Sequence, residues 1–189
     1  MSLSIKFNDK YTVTEPFVLP TIDLFNDWRT AFLANNDLSE LNVMFMGNAA
    51  ENFYGNSTVR TRDIDIMFSG EIECSKLKAI KESAFELGLE RNILVDTLHI
   101  SQDVFTNRWW DDGYKVTKLF SSVLITTDTI NVDGLSGINL IENDCGLYEV
   151  FLEKKEDSIS FRKYFHRLKN GIYQDLRYDL KTMNLLSYE

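Results

Sequence analysis

The chain has 189 residues, a formal net charge of -9 and a sequence pI of about 4.8, a balance that argues against broad electrostatic capture of nucleic acid and leaves room only for a local basic patch. Hydrophobic residues make up 44% and aromatics 13%, which suits a packed globular core and excludes a disordered chain. The two cysteines, Cys74 and Cys145, have no metal-ligand spacing and read as unpaired thiols of a reducing compartment, a single disulfide being the alternative.

The opening MSLSIKFNDK lacks the apolar core of a signal peptide, and no stretch is long and apolar enough to span a membrane, so a cytoplasmic protein is expected. With two prolines, Pro16 and Pro20, no Gly/Ser-rich linker and no repeat, residues 1–189 read as one domain. After Pro20, TIDLFNDWRTAFLANN sets Leu24/Phe25, Trp28 and Ala31/Phe32 on one side of a helix, with Thr21 as its N-cap. NVMFM is a short apolar strand ending at Gly47, and a short helix over about 49–53 should end at Gly55. The polar loop GNSTVRT leads into the strand DIDIMF. CSKLKAIKESAFELG is a helix with Leu77, Ile80, Ala84 and Leu87 inward and Gly88 as its stop. NILVDTLHI is the next strand, and YKVTKLFSSVLITTDTINVDG supplies one or two more. In the last segment Phe161, Tyr164/Phe165, Leu168, Ile172, Leu176, Leu180 and Met183 predict a long amphipathic helix, a C-terminal extension over about 156–186. Strands and helices intermix, so an α+β (mixed α/β) fold is expected: a small mixed sheet flanked by helices.

The chemistry concentrates in TRDIDIMF. Strand side chains alternate, so Asp63, Asp65 and Met67 share one face while Ile64, Ile66 and Phe68 anchor the other. Two carboxylates at that separation either raise the pKa of one of them or require a counter-charge, which a divalent cation supplies. Magnesium takes oxygen ligands and keeps several waters, so two or three carboxylates plus a phosphate suit it. In ILVDTLHI, Asp96 shares a face with Leu94, Leu98 and Ile100, where an ionised group needs a metal, a partner such as Arg91, or an exit to solvent. If the two strands are neighbours, three carboxylates meet on one side of a sheet. Upstream, Gly47 ends an apolar strand and opens a helix, where free N–H groups bind phosphate, and Asn48 can add an amide donor.

An apolar strand, Gly plus a small residue, a short helix, a loop, then Thr-x-Asp-x-Asp and a later strand Asp together resemble the nucleotidyltransferase superfamily. The resemblance is to its stand-alone and abortive-infection toxin type, and it covers residues 41–100. Thr61, Asp63, Ile64 and Asp65 match the family's Arg-x-Thr-x-Asp-hydrophobic-Asp loop, and Asp96 matches its third carboxylate. Three features depart from the commonest pattern. Asn48 follows Gly47 where the family has Gly or Ser, the arginine is Arg60 with Val59 in its usual place, and the loop between Gly47 and Asp63 is long.

The resemblance implies a DNA polymerase beta-like fold and transfer of a nucleoside monophosphate from an NTP such as ATP to an acceptor hydroxyl, with release of pyrophosphate. In that reading Mg2+ (or Mn2+) is held by Asp63, Asp65 and Asp96, with Asp96 as a ligand or as the general base. Gly47 and Asn48 cradle the phosphates, Thr61 belongs to the same nucleotide site, and Arg60, ahead of Arg62, offsets developing charge. The acceptor is open among RNA, protein and small molecule. Rival readings are a catalytically silent binding module of the same fold, a sugar-nucleotide transferase with its own Asp-x-Asp, and an interaction protein that forms homo-oligomers through the C-terminal helix.

Elsewhere the functional signal is thin. His99 alternates onto the face opposite Asp96 and reads as a core or surface histidine. The basic cluster Arg162, Lys163, His166, Arg167 and Lys169 reads as a solvated helix face in preference to a nucleic-acid contact. Trp109-Trp110 before Asp111-Asp112-Gly113 reads as packing aromatics at a turn.

Overall fold

A computed structural model describes residues 4–7, 11–14, 17–55, 61, 63–101, 114–119, 141–152, 167–169, 172–174 and 176–186. The elements in chain order are β1 (Ser4–Phe7), β2 (Tyr11–Thr14), α1 (Ile22–Asn35), β3 (Asn42–Met46), α2 (Gly47–Tyr54), β4 (Asp63–Ser69), α3 (Cys74–Leu89), β5 (Leu94–Ile100), β6 (Tyr114–Lys118), β7 (Ile141–Glu142), β8 (Tyr148–Leu152), β9 (Arg167–Lys169), β10 (Ile172–Gln174) and β11 (Tyr178–Asp179). The fold is α+β. A mixed sheet runs in the order β11-β3-β4-β5-β6-β8-β7, while β1–β2 and β9–β10 are separate antiparallel pairs. Among the described strands of the large sheet, only β4 and β5 run parallel. Parallel neighbours need a crossover, and α3 provides it.

The helices form where the sequence caps and faces them. Thr21 caps α1, its hydroxyl accepting from the Leu24 amide at 3.3 Å. The inner face of α1, Phe25, Trp28 and Phe32, is fully buried against Val43 and Phe45 of β3, Ile64, Ile66 and Phe68 of β4, and Ala84 and Phe85 of α3. Phe25 stacks on Phe45 at 4.1 Å between ring centroids, and the Trp28 indole donates to the Ala84 carbonyl at 2.9 Å, so its polar edge is satisfied inside the core. Gly88 lies within the last turn of α3 and does not stop it. A β-carbon there would sit 2.8 Å from the Ile93 carbonyl oxygen and 2.9 Å from a Val95 methyl, so its role is the close approach of α3 to β5. Leu87 is only partly buried, and Lys81 and Phe85 take inner positions instead.

The C-terminal helix is not borne out. Where residues 158–183 are described, the chain forms short strands and a turn: β9 pairs with β10, β11 adds to the edge of the large sheet beside β3, and a turn follows over 180–182. Leu168, Ile172, Leu176 and Leu180 are four apart, a spacing that is close to one helical turn but also an even number, so it equally marks one face of an extended chain. The β9–β10 register joins Lys169 to Ile172 across the dipeptide Asn170-Gly171, the strongest short-range hairpin signal. Arg167 and Lys169 therefore lie on a strand, and Arg162, Lys163 and His166 lie outside the described residues, as do Trp109 and Trp110. Among the described residues no helix remains to carry the expected oligomer face. Leu180 completes the main core instead, fully buried. Arg29 holds that turn by donating to the Leu180 and Lys181 carbonyls at 2.5 and 2.6 Å, and Lys181 reaches back to the Leu38 and Leu41 carbonyls, both at 2.6 Å.

Candidate metal centre

The helix-bearing face of the sheet takes Ile64, Ile66 and Phe68, which leaves Asp63, Asp65 and Met67 on the other face. Register then does the assembly. In the parallel pair β4–β5, Asp65 is level with Asp96; in the antiparallel pair β3–β4, Asp65 is level with Met46. Gly47 follows Met46 directly, so the start of α2 lies beside the Asp65 carboxylate.

One carboxylate oxygen from each of Asp63, Asp65 and Asp96 can be chosen so that all lie within 4.8 Å of one another. Asp63 and Asp65 are partly exposed, while Asp96 is 5% exposed. Among the described residues no other group of three His, Cys, Asp or Glu side chains meets that condition. Two full charges at that distance repel by about 3 kcal/mol at an effective dielectric constant of ~20, and a hard divalent cation with oxygen ligands is the ion that such a donor set fits.

Gly47 makes the arrangement possible. Its φ is +80°, a conformation that side chains with a β-carbon resist. A β-carbon there would overlap the Asp65 carboxylate oxygen and lie 3.0 Å from Asp65 Cγ. Helix α2 begins at Gly47, two residues before the expected 49–53 helix, and ends at Tyr54 with the Gly55 amide donating to the Glu51 carbonyl at 2.9 Å. No side chain caps its N-terminus, and its first turn carries no acid. Asn48 is its second residue. At its other end, the Asn52 side-chain amide donates to the Thr61 hydroxyl, so α2 also fixes the chain two residues before Asp63. Thr61 is buried. Arg60 and Arg62 lie outside the described residues.

Behind the carboxylates, on the helix-bearing face, two ionisable groups are buried. His99 donates from Nε2 to the Gly70 carbonyl at 2.8 Å. Burial, assisted by the Lys81 charge and opposed by that hydrogen bond, pushes its pKa down to about 4. Of the two readings that alternation leaves open, core and surface, it is the core one. Lys81 was not singled out by sequence, yet it is fully buried: its ammonium donates to the carbonyls of Thr97 at 2.9 Å and Thr117 at 3.0 Å and to the Thr97 hydroxyl at 3.3 Å, 5.8 Å from the centroid of the Phe68 ring. It ties α3 to β5 and β6 one residue beyond Asp96. The available signal was a lysine on the inner stripe, four residues after Leu77 and three before Ala84.

No protein-family model, curated protein or solved structure matches the chain. Among the described residues no helix is long and apolar enough to cross a membrane.

Proposed function

We propose that the chain is a metal-dependent nucleotidyltransferase that moves a nucleoside monophosphate from an NTP to an acceptor hydroxyl. The observation that carries this reading is the meeting of Asp63, Asp65 and Asp96 beside the uncapped start of α2, in space that Gly47 leaves open. The residues fit Mg2+ or Mn2+, which when bound would neutralise the triphosphate and make an acceptor hydroxyl easier to deprotonate. Asp63 and Asp65, the more exposed pair, are the ligands facing the nucleotide. Asp96, on the adjacent strand and nearly buried, completes the donor set and is the group able to take the acceptor proton. Backbone N–H groups at Gly47 and Asn48 bind the terminal phosphates, as helix N-termini do. Thr61 holds the entrance to β4 through Asn52, and Arg60, which lies outside the described residues, keeps only the charge-offsetting role that the family resemblance implies.

The test is metal-dependent NTP binding by calorimetry and thermal shift, with the Asp63→Asn/Asp65→Asn double variant as control. At a ligand concentration near 100 times Kd, the unsubstituted protein should gain about 2.7 kcal/mol, a rise in Tm of about 5–10 °C at this size. The double variant, unchanged in circular dichroism, should gain nothing. Release of labelled pyrophosphate from an NTP labelled at the γ-phosphate separates an enzyme from a silent binding module. Equal binding by the double variant would remove the assignment.

A further inference from the structure

The sequence places Cys74 and Cys145 at opposite ends of a long connection, but the fold brings them together. Cys74 is the first residue of α3, and Cys145 lies in the turn between β7 and β8. That turn is built around Asn143. Its side-chain carbonyl accepts from the amides of Cys145 at 3.0 Å and Leu147 at 2.9 Å, and its backbone amide and carbonyl bond to Leu147 and Gly146, both at 2.8 Å. Gly146, at φ +76°, provides the left-handed residue that closes the turn. The Asn143 side-chain amide donates to the Cys74 sulfur at 3.4 Å and to Glu149 at 3.2 Å. One asparagine therefore holds both cysteines, which brings the two side chains close enough for one thiol to act on the charge of the other. Both residues are partly exposed, so a small oxidant has access.

We propose that Cys74 and Cys145 are a redox modification site, converted to a reversible intramolecular disulfide by hydrogen peroxide. In the first step the Cys145 sulfur attacks a peroxide oxygen and the O–O bond breaks, leaving Cys145 as a sulfenic acid while the second oxygen departs as water with the thiol proton. In the second, the Cys74 sulfur attacks the Cys145 sulfur and the S–O bond breaks. The hydroxide leaves as water with the Cys74 proton. Two thiols lose two electrons and one peroxide becomes two waters; a dithiol reductant reverses the bond by exchange. Burial and the neighbouring thiol push Cys74 up to about 11, so it is protonated at neutral pH, which leaves the first attack to Cys145 and makes loss of the Cys74 proton part of the second step. The bond would join the start of α3 to the β7–β8 turn. Asp63 and Asp65 lie at the beginning of β4, whereas α3 starts beyond its end, so this site and the carboxylates are tested independently.

The experiment treats the full chain with stoichiometric hydrogen peroxide and follows intact mass, titratable thiols and Tm. The expected result is a loss of about 2 Da per monomer, simultaneous disappearance of both thiols, a peptide that links residues 74 and 145, and full reversal by dithiothreitol. The Cys145→Ser variant should keep its Cys74 thiol under the same treatment. Disulfide-linked dimers, gain of about 16 or 32 Da on one cysteine while the other stays titratable, or oxidation of methionines while both thiols persist would each overturn the proposal.

Discussion

Replacing Gly47 by alanine separates what the site requires from what the fold requires. Two effects add at this position. A left-handed backbone costs a residue with a β-carbon about 1–2 kcal/mol, and the φ here is +80°. The new methyl would also overlap the Asp65 carboxylate and lie 3.1 Å from Asp65 Cβ, so Asp65 must swing off its rotamer at a further cost of about 1 kcal/mol. Together these predict a loss of about 2–3 kcal/mol, or about 4–12 °C in Tm. The carboxylate must move by an amount that a metal site does not tolerate, so Mg2+ affinity should fall at least about tenfold. Gly55→Ala provides the comparison, because a β-carbon there would meet the Glu51 carbonyl oxygen and a Leu176 methyl, each at 2.7 Å, and neither is a carboxylate of the trio. That variant should lose stability and keep its affinity for the ion. Thermal melts and Mg2+ calorimetry on both proteins read the two quantities separately. If Gly47→Ala binds Mg2+ as Gly55→Ala does, the contact between Gly47 and Asp65 is packing and has no part in holding an ion.

Two further predictions concern the helix-bearing face. His99 has a folded pKa near 4 against an ordinary 6.5, so the unfolded chain takes up a proton that the folded chain refuses. The associated stability is whole above about pH 6.5 and is lost as pH falls toward 4, by about 2 kcal/mol between pH 7.5 and pH 5. The difference in urea midpoint between wild type and His99→Gln should carry that slope, and parallel profiles would show that the imidazole is already solvated. Lys81→Met leaves the Thr97 and Thr117 carbonyls without their ammonium donor, while relieving the cost of a buried cation. A net loss of about 2–3 kcal/mol is expected in denaturant unfolding, and a variant as stable as wild type would contradict the role of Lys81 as a clamp.

The elements that were legible in the sequence are those whose signals are local. Thr21 caps α1 because its side chain reaches an amide three residues away. DIDIMF alternates within six residues, and Ile64, Ile66 and Phe68 are fully buried where alternation puts them. The carboxylate trio needed one step more, the adjacency of β4 and β5, and a strand–helix–strand order makes that adjacency the default. The illegible parts are non-local. Tyr178 pairs with Phe45, and nothing near Tyr178 announces a partner more than a hundred residues away; a spacing of four, shared by strand and helix, allowed the wrong choice. Cys74 and Cys145 failed the test of spacing because what joins them is the side chain of Asn143.

The register of β4 against β5 is where stability and the proposed chemistry meet. Ile64, Ile66 and Val95 are fully buried beneath α1 and α3. A slip of one residue between β4 and β5 would turn Asp65 or Asp96 into that core, where an ionised carboxylate is prohibitively costly. A slip of two keeps the faces but carries Asp65 about 7 Å along its neighbour and dissolves the trio. Gly88, which brings α3 within contact of Ile93 and Val95, and Lys81, which grips Thr97, hold β5 on both sides of Asp96. The apolar face thus carries the energetic burden of a register whose effect is felt on the other face, where it keeps Asp63, Asp65 and Asp96 together as the proposed cation site requires.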